Sequence, residues 1–336
     1  MNRNNFFSIT NLPKIRRIIL AAFTLCTLFI GWRFYHFYKW TLDQGAYVPR
    51  PPGVEGFLPI SALLGFKRLL LTGEFDPIHP AGLVIFMAAL AIAFFARKGF
   101  CGWICPVGFG SLIIQNIGVR LKRPITLPRW IDYPLTSLKY IILAFFVYMI
   151  GWQMDVQAIT AFLHTPYNLV ADAKMLLFFL HPSGLTIAVV SCIILISFVI
   201  PHFWCRYLCP YGALLGVFAF FSPLQVHRQA ETCIDCQKCN KICPGGIQVS
   251  QQKTVRSPEC IGCLECLAVC PKEDCLSVKG PVKHRYNFWL IPVLTVTLWC
   301  GFWLTGLFTD HWQSKVSVSS FKQTYQQVLA QPEDRK

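Results

Sequence analysis

Cys233, Cys236, Cys239 and Cys243 form one run closed by Pro244, and the same spacing returns at Cys260, Cys263, Cys266 and Cys270, closed by Pro271. Thiolates are soft ligands, and a CxxCxxCxxxCP run wraps a cubane of iron and sulfide. In tandem runs three cysteines bind one cluster, and the fourth, before the proline, crosses to the other. The expected ligand sets are therefore Cys233, Cys236, Cys239 and Cys270 for one 4Fe-4S cluster, and Cys243, Cys260, Cys263 and Cys266 for a second. A structural zinc site would use two CxxC pairs, a reading that two complete runs with closing prolines leave little room for. Such clusters carry single electrons, so the chain is expected to move electrons.

A second set of cysteines lies outside these runs. Cys101-Gly102-Trp103-Ile104-Cys105-Pro106-Val107-Gly108 and Cys205-Arg206-Tyr207-Leu208-Cys209-Pro210-Tyr211-Gly212 are two copies of a CxxxCP motif, 104 residues apart. Each follows an apolar stretch opened by a matching pentapeptide, His79-Pro80-Ala81-Gly82-Leu83 or His181-Pro182-Ser183-Gly184-Leu185. The His-to-Cys separations are 22 and 24 residues. At a helical rise of about 1.5 Å they cover about 33 to 36 Å, enough to cross hydrocarbon with His outside and Cys inside. Both copies run the same way, a parallel repeat about an axis along the membrane normal, so the two motifs are expected to face each other. Cysteines at i and i+4 point along one helix face, and the proline disfavours helical geometry just before it. Cys101, Cys105, Cys205 and Cys209 are thus expected to supply four thiolates at the cytoplasmic membrane surface. They would bind a metal or a further iron-sulfur centre, or cycle between dithiol and disulfide. The bland alternative, four small buried residues, leaves the repeated spacing and proline unexplained.

The elements that position these thiols must be largely apolar. Of 336 residues, 54% are hydrophobic and 14% charged, with a mean hydropathy of +0.47, outside ordinary soluble composition. Five stretches of about 17 to 24 apolar residues, the length a bilayer requires, are expected near residues 15–37, 80–96, 135–152, 183–203 and 287–308. Of sixteen cysteines, twelve cluster in metal-ligand spacing, which argues against a disulfide scaffold and for a reducing compartment. The net charge of +15 does not mark a nucleic-acid partner, because the basic residues are spread over short loops rather than gathered on one face. With the N-terminus inside, the inner segments (1–17, 97–134, 203–286) carry 20 Lys and Arg against 9 in the outer ones (38–79, 153–182, 309–336), which fits the positive-inside rule. The first span follows a polar, basic start without a small-residue cleavage site, as a retained anchor does.

The expected fold class is an α-helical polytopic membrane protein of about five transmembrane helices with a parallel internal repeat, carrying a cytoplasmic two-cluster ferredoxin-like α+β module. Residues 1–229 form the membrane domain with repeats at 79–120 and 181–222, residues 230–280 the module, and residues 281–336 a final span and short outer tail. The expected setting is the bacterial inner membrane, with the N-terminus and module cytoplasmic and the C-terminus outside.

Other polar residues are weighed against simpler readings. His79 and His181 stand at matching outer depth, where haem ligation or proton acceptance from a quinol is open to them; the preferred reading is that each His-Pro starts a helix. A quinol site nearer the CxxxCP motifs is more economical, with His202, Arg97 and Tyr207 as candidates beside Lys98 and Arg206, although basic residues there also serve the positive-inside bias. Lone His36, His164, His227 and His284 are read as interfacial or solvated, and Cys26, Cys192 and Cys300 as packing residues. Cys275 is surplus to the eight ligands and is read as inert rather than redox-sensitive. Residues 56–71, apolar but broken by charges and a proline, are expected to lie along the outer interface, with 157–180 as the counterpart in the second repeat. The tail from Lys315 onward is polar and uninformative.

Paired CxxxCP motifs behind apolar spans, followed by a double CxxCxxCxxxCP module, resemble the NapH/NosR group of membrane-bound polyferredoxins, which also takes in RdhC and the oxidase assembly factor CcoG. The resemblance covers about residues 15–310. It implies electron transfer between the quinol pool and a respiratory or assembly partner, with required CxxxCP cysteines and two 4Fe-4S clusters in the cytoplasm. The chain departs from NosR in lacking room for a large flavin-binding periplasmic domain, and from CcoG in having only a short tail, so a covalent flavin and a direct copper-site partner are not expected. The function expected first is a quinol-linked electron-transfer protein, possessing the character of a quinol dehydrogenase component and acting with the bilayer, a quinol and another redox protein. The alternative is an assembly factor whose CxxxCP thiolates bind and reduce copper, since soft thiolates favour Cu(I). A redox sensor would need an output domain that the sequence does not show.

Overall fold

A computed structural model describes residues 8–121, 125, 127–280 and 284–329. The polar start, the expected boundary at 281 and the last residues of the tail lie outside the described residues. Each of the five apolar stretches contains a helix: Leu12–Thr41, Pro80–Phe95, Arg129–Tyr148, Gly184–Val199 and Leu290–Phe308. By length and composition, three helical stretches among the described residues are able to cross a membrane, at Ile9–Thr41, Arg129–Gln153 and Leu290–Phe308. A fourth counts only if Ala171–Leu180 and Gly184–Val199, bent by 77°, form one broken span. Pro80–Phe95 has 16 residues, about 24 Å of helix against about 30 Å of hydrocarbon. Of the five expected crossings, three are thus long and apolar enough by themselves, and the second, expected among the shortest, falls short.

The chain divides into two units, each described by itself. The first comprises Met1–Thr24, Ala89–Leu143 and Ile193–Trp299. Within it, β1 (Gln225–Arg228), β2 (Thr254–Val255), β3 (Leu276–Lys279) and β4 (Arg285–Tyr286) make an antiparallel sheet in the order β2-β1-β3-β4. Val226 pairs with Val255 on one side and Val278 on the other; these three are buried and fix the register, because a slip by one residue would turn polar neighbours inward. Two five-residue helices, Lys238–Ile242 and Glu265–Val269, pack on each other and end at Cys243 and Cys270. Both cysteines are extended, as residues before proline must be.

The second unit comprises Leu25–Ala88, Ala144–Cys192 and Cys300–Lys336. One core gathers Phe34, Phe37, Val54, Val170, Ala173, Phe321 and Tyr325, and another Leu64, Ile150, Ile159 and Leu163. The tail reading is corrected here: Val318–Leu329 is a helix that buries Phe321 and Tyr325, one turn apart. The stretch expected at 56–71 is a helix, Pro59–Thr72, with Ala62 and Leu64 buried and Leu70 and Leu71 exposed.

His79 and His181 do not occupy matching surroundings. His79 is buried against the Asn168 carbonyl, 2.8 Å from Nε2, and beside Glu55. His181 is exposed and ends the helix Ala171–Leu180. The difference lies in the two prolines: Pro80 opens its helix, whereas the chain bends at Pro182 and the next helix begins at Gly184. Cys26 and Cys192 are exposed on their helices rather than packed, and Cys300 is partly covered.

Candidate functional site

In each four-cysteine run the backbone turns through the left-handed region at equivalent places, Asp235 and Gln237 in one run and Gly262 and Leu264 in the other. A leucine in that region is uncommon. These reversals curl the runs so that their thiols surround a space. Cys233, Cys236, Cys239 and Cys270 line one cavity, with an open volume of about 360 Å3. Cys243, Cys260, Cys263 and Cys266 line a second, of about 410 Å3. Each set combines three cysteines of one run with the last of the other. Among the described residues, no group of three or more His, Cys, Asp or Glu side chains is close enough to hold a single metal ion, whereas a ring of four thiols round a cavity fits a polynuclear cluster.

The CxxxCP motifs take a conformation that the i, i+4 argument missed. Phe100–Ile104 and Trp204–Leu208 are single π-helical turns, not α-helix, and Cys105 and Cys209 follow with extended backbones. Pro106 and Pro210 cause this by excluding helix at the preceding cysteine and then open the helices Pro106–Arg120 and Pro210–Phe220. Each second cysteine thereby occupies the N-cap of a helix, and in the second motif the Gly212 N–H donates to Cys209 Sγ at 3.3 Å. Electrostatic interactions link Cys101 with Cys105, Cys205 and Cys209, and Cys205 with Cys105 and Cys209. The four thiols thus form one station. Ser111 Oγ lies 3.5 Å from Cys205 Sγ.

Burial, and then the neighbouring Cys105, push the Cys101 thiol up, and the same two causes push Cys205 up to about 12. Burial likewise pushes Cys243 up to about 11 and raises Cys263 and Cys266. Thiolates are therefore costly in these places without a compensating cation, and ligand binding must release protons.

Both CxxxCP motifs touch the loops of the second cavity. Trp103 Nε1 donates to the Gly262 carbonyl at 3.0 Å, and a Cβ on Gly102 would strike the Ile261 carbonyl. Arg206 packs over Gly246, just beyond Cys243 and Pro244. Arg16 crosses the same region, donating from Nε to the Gly102 carbonyl at 2.8 Å and pairing with Glu265 at 2.5 Å. Glu259, on the rim of the second cavity, bridges Lys139 at 2.5 Å and Lys98 at 3.6 Å and accepts from Tyr140 at 2.9 Å. Burial alone would raise its carboxyl, but Lys98 and Lys139 hold it below the usual carboxylate range. Lys98 also interacts with Cys101 and Cys205, and Lys139 with Cys209.

The quinol-site candidates have partners of their own. Arg97 is buried and donates to the carbonyls of Ala219, Val255 and Ser257. The Tyr207 hydroxyl donates to Asp132 at 2.6 Å, and Arg206 pairs with the other oxygen of Asp132. His202 Nε2 is 2.7 Å from Gln115 Oε1.

Comparison with known proteins bears on this arrangement. A family model described as a 4Fe-4S binding domain matches residues 78–124 and again 180–225, and one described as a 4Fe-4S dicluster domain matches 225–271. YccM of Escherichia coli, whose name proposes a role in electron transport, is 37% identical over 332 residues, covering 97% of this chain and 92% of YccM. NirI of Paracoccus denitrificans is 29% identical over 203 residues (58% of this chain, 28% of NirI), and the ferredoxin-type protein NapH of Haemophilus influenzae 24% over 187 (53% and 58%). The chain belongs to the NapH/NosR-type polyferredoxin family. As a polyferredoxin with long apolar helices it is a membrane-associated iron-sulfur protein of electron transport. No solved structure matches the chain.

Sequence reading missed the groups around the NapH/NosR-type cysteine motifs. In the sequence Arg16 stands out only as a basic residue of the inner segment 1–17, and Glu259, Glu265 and Lys139 belong to no motif. Two signals were available: carboxylates directly before Cys260 and Cys266, and a lysine inside an apolar helix, where an ionisable group is costly.

Proposed function

We propose that this polyferredoxin passes electrons between the quinol pool and a redox partner. Cys233, Cys236, Cys239 and Cys270 hold one 4Fe-4S cluster, and Cys243, Cys260, Cys263 and Cys266 hold a second. Cys101, Cys105, Cys205 and Cys209 form a further thiolate-bound iron-sulfur centre. Bound clusters supply one-electron carriers, and the protein positions them. The observation that carries the reading is the pair of contacts by which both CxxxCP motifs grip the loops of the second cavity. Lys98 and Lys139 face the CxxxCP thiols and share Glu259 with that cavity, placing positive charge where a thiolate-rich centre accumulates negative charge. The double match to a 4Fe-4S binding description over the two repeats supports iron-sulfur chemistry there.

In this reading the chain spans a bacterial inner membrane, the cytoplasmic module begins at β1 (Gln225–Arg228) rather than at residue 230, and the C-terminus lies outside. Oxidation of a quinol yields a quinone, two electrons and two protons. His202, beside Gln115, is assigned to the quinol site together with Arg97 and Tyr207.

The test is anaerobic reduction by a short-chain quinol analogue, followed by EPR. Wild type is expected to develop reduced-cluster signals, and Cys101→Ser with Cys205→Ser to lose the quinol response while still responding to dithionite. A wild type unresponsive to quinol, with stoichiometric copper on the four CxxxCP thiols, would replace this reading with copper handling.

A further inference from the structure

The cavity beside β3 holds one thiol more than a four-coordinate cluster needs. Cys275 directly precedes β3, is 3% exposed, and lines the same cavity as Cys233, Cys236, Cys239 and Cys270. Its thiol shares that cavity with Cys233 and Cys270 and interacts electrostatically with both. The competing acceptor is the Gln229 carbonyl, 3.9 Å from Cys275 Sγ, a long contact. The Gln229 N–H donates to the Cys275 carbonyl at 2.8 Å, which anchors the backbone that carries the thiol.

A buried position that only had to be filled would accept alanine, whereas a thiol adds an S–H donor. Cys233 and Cys270 bind iron as thiolates, and a hydrogen bond to a charged sulfur is stronger than one to a neutral carbonyl. The cavity geometry therefore favours donation toward the ligand sulfurs.

We propose that Cys275 is a positioning residue for the cluster on Cys233, Cys236, Cys239 and Cys270, donating its S–H to a ligand sulfur, Cys233 or Cys270, and raising the reduction potential of that cluster. The inference rests on the reading that these four cysteines hold a cluster. An added electron makes the sulfurs more negative, so a donor stabilises the reduced form more than the oxidised one; hydrogen bonds to sulfur are among the levers that set cluster potentials.

The test is an EPR-monitored redox titration of anaerobic full-length protein, with iron counting, on wild type, Cys275→Ala and Cys275→Ser. The alanine variant is expected to weaken reduction of one cluster about tenfold in equilibrium constant, about 59 mV for one electron, and to leave the other cluster unchanged. The serine variant keeps a donor, and its midpoint is not expected to fall. Equal midpoints in wild type and Cys275→Ala, or equal falls in both variants, would overturn the proposal. Should Cys275→Ala lose the cluster, the serine variant decides: a retained cluster at the wild-type midpoint supports donation, and its loss or fall refutes it. An iron-free wild type would defeat the ligand reading itself.

Discussion

Gly245 lies where the two ligand loops of the second cavity meet, and Gly245→Ala tests that meeting. A Cβ there would stand 2.6 Å from the Glu259 carbonyl oxygen and 3.3 Å from the Glu259 Cβ. The nearer contact is with backbone, which cannot swing aside as a side-chain tip does, so the Cys243 and Cys260 loops must part by several tenths of an ångström. Overpacking of this kind costs about 1–3 kcal/mol, about a 5- to 150-fold change in an equilibrium constant. Gly110→Ala is the control: nothing lies within 4 Å of the added carbon, and in the helix Pro106–Arg120 the change is expected to stabilise by about 0.5–1 kcal/mol. Iron release from anaerobic protein to a ferrous chelator measures the effect. Gly245→Ala is expected to release one cluster's share of iron about 5- to 150-fold more readily, and Gly110→Ala to behave as wild type. Unchanged release from Gly245→Ala would refute the packing described here.

Other perturbations have equally definite outcomes. Glu259→Gln leaves Lys98 and Lys139, 3% and 0% exposed, without their carboxylate; removing one partner of a buried pair costs about 3–5 kcal/mol, so the thermal unfolding midpoint should drop, and an unchanged midpoint would contradict the bridge. Arg16→Gln removes the pairing with Glu265 and the bond to the Gly102 carbonyl, and is expected to alter the EPR signal of the cluster on Cys243, Cys260, Cys263 and Cys266 while sparing the other. For His79, burial lowers the pKa but bonding to Glu55 outweighs it, and the net shift is upward; Arg50, Asp172 and Asp76 also act on it. A raised folded value contributes stability that is fully present below the ordinary histidine value of about 6.5 and is lost as pH rises through the folded value. Thermal stability should therefore decline above about pH 6.5 in wild type and decline less in His79→Gln; parallel profiles would show that His79 contributes nothing to the trend.

Legibility in the sequence followed the range of the interactions. The cysteine runs are local, and a fixed spacing closed by proline leaves few ways to fold, so the thiols that share each cavity are those the spacing groups together. Proline also signalled the break at Cys105 and Cys209, although a π-turn rather than an α-helical one precedes it. Contacts such as Arg16 with Glu265, 249 residues apart, leave no trace in composition or period. Cys275 lies only five residues past Cys270, yet its place in the cavity depends on the pairing of β3 with β1. In the tail, Phe321 and Tyr325 stand at helical spacing, but the polar composition hid an apolar stripe whose partners lie in distant stretches of the chain. The unequal fates of His79 and His181 show that matching peptides need not find matching surroundings.

The most direct test of the central claim, twin cubanes beside a CxxxCP thiol station, is iron and acid-labile sulfide counting on anaerobic preparations of wild type and of Cys101→Ser with Cys205→Ser. The expected result is more than about eight irons per chain in wild type, falling to about eight, two clusters of four, in the double variant. About eight in both would remove iron from the CxxxCP station, and an iron-free wild type would contradict the account as a whole.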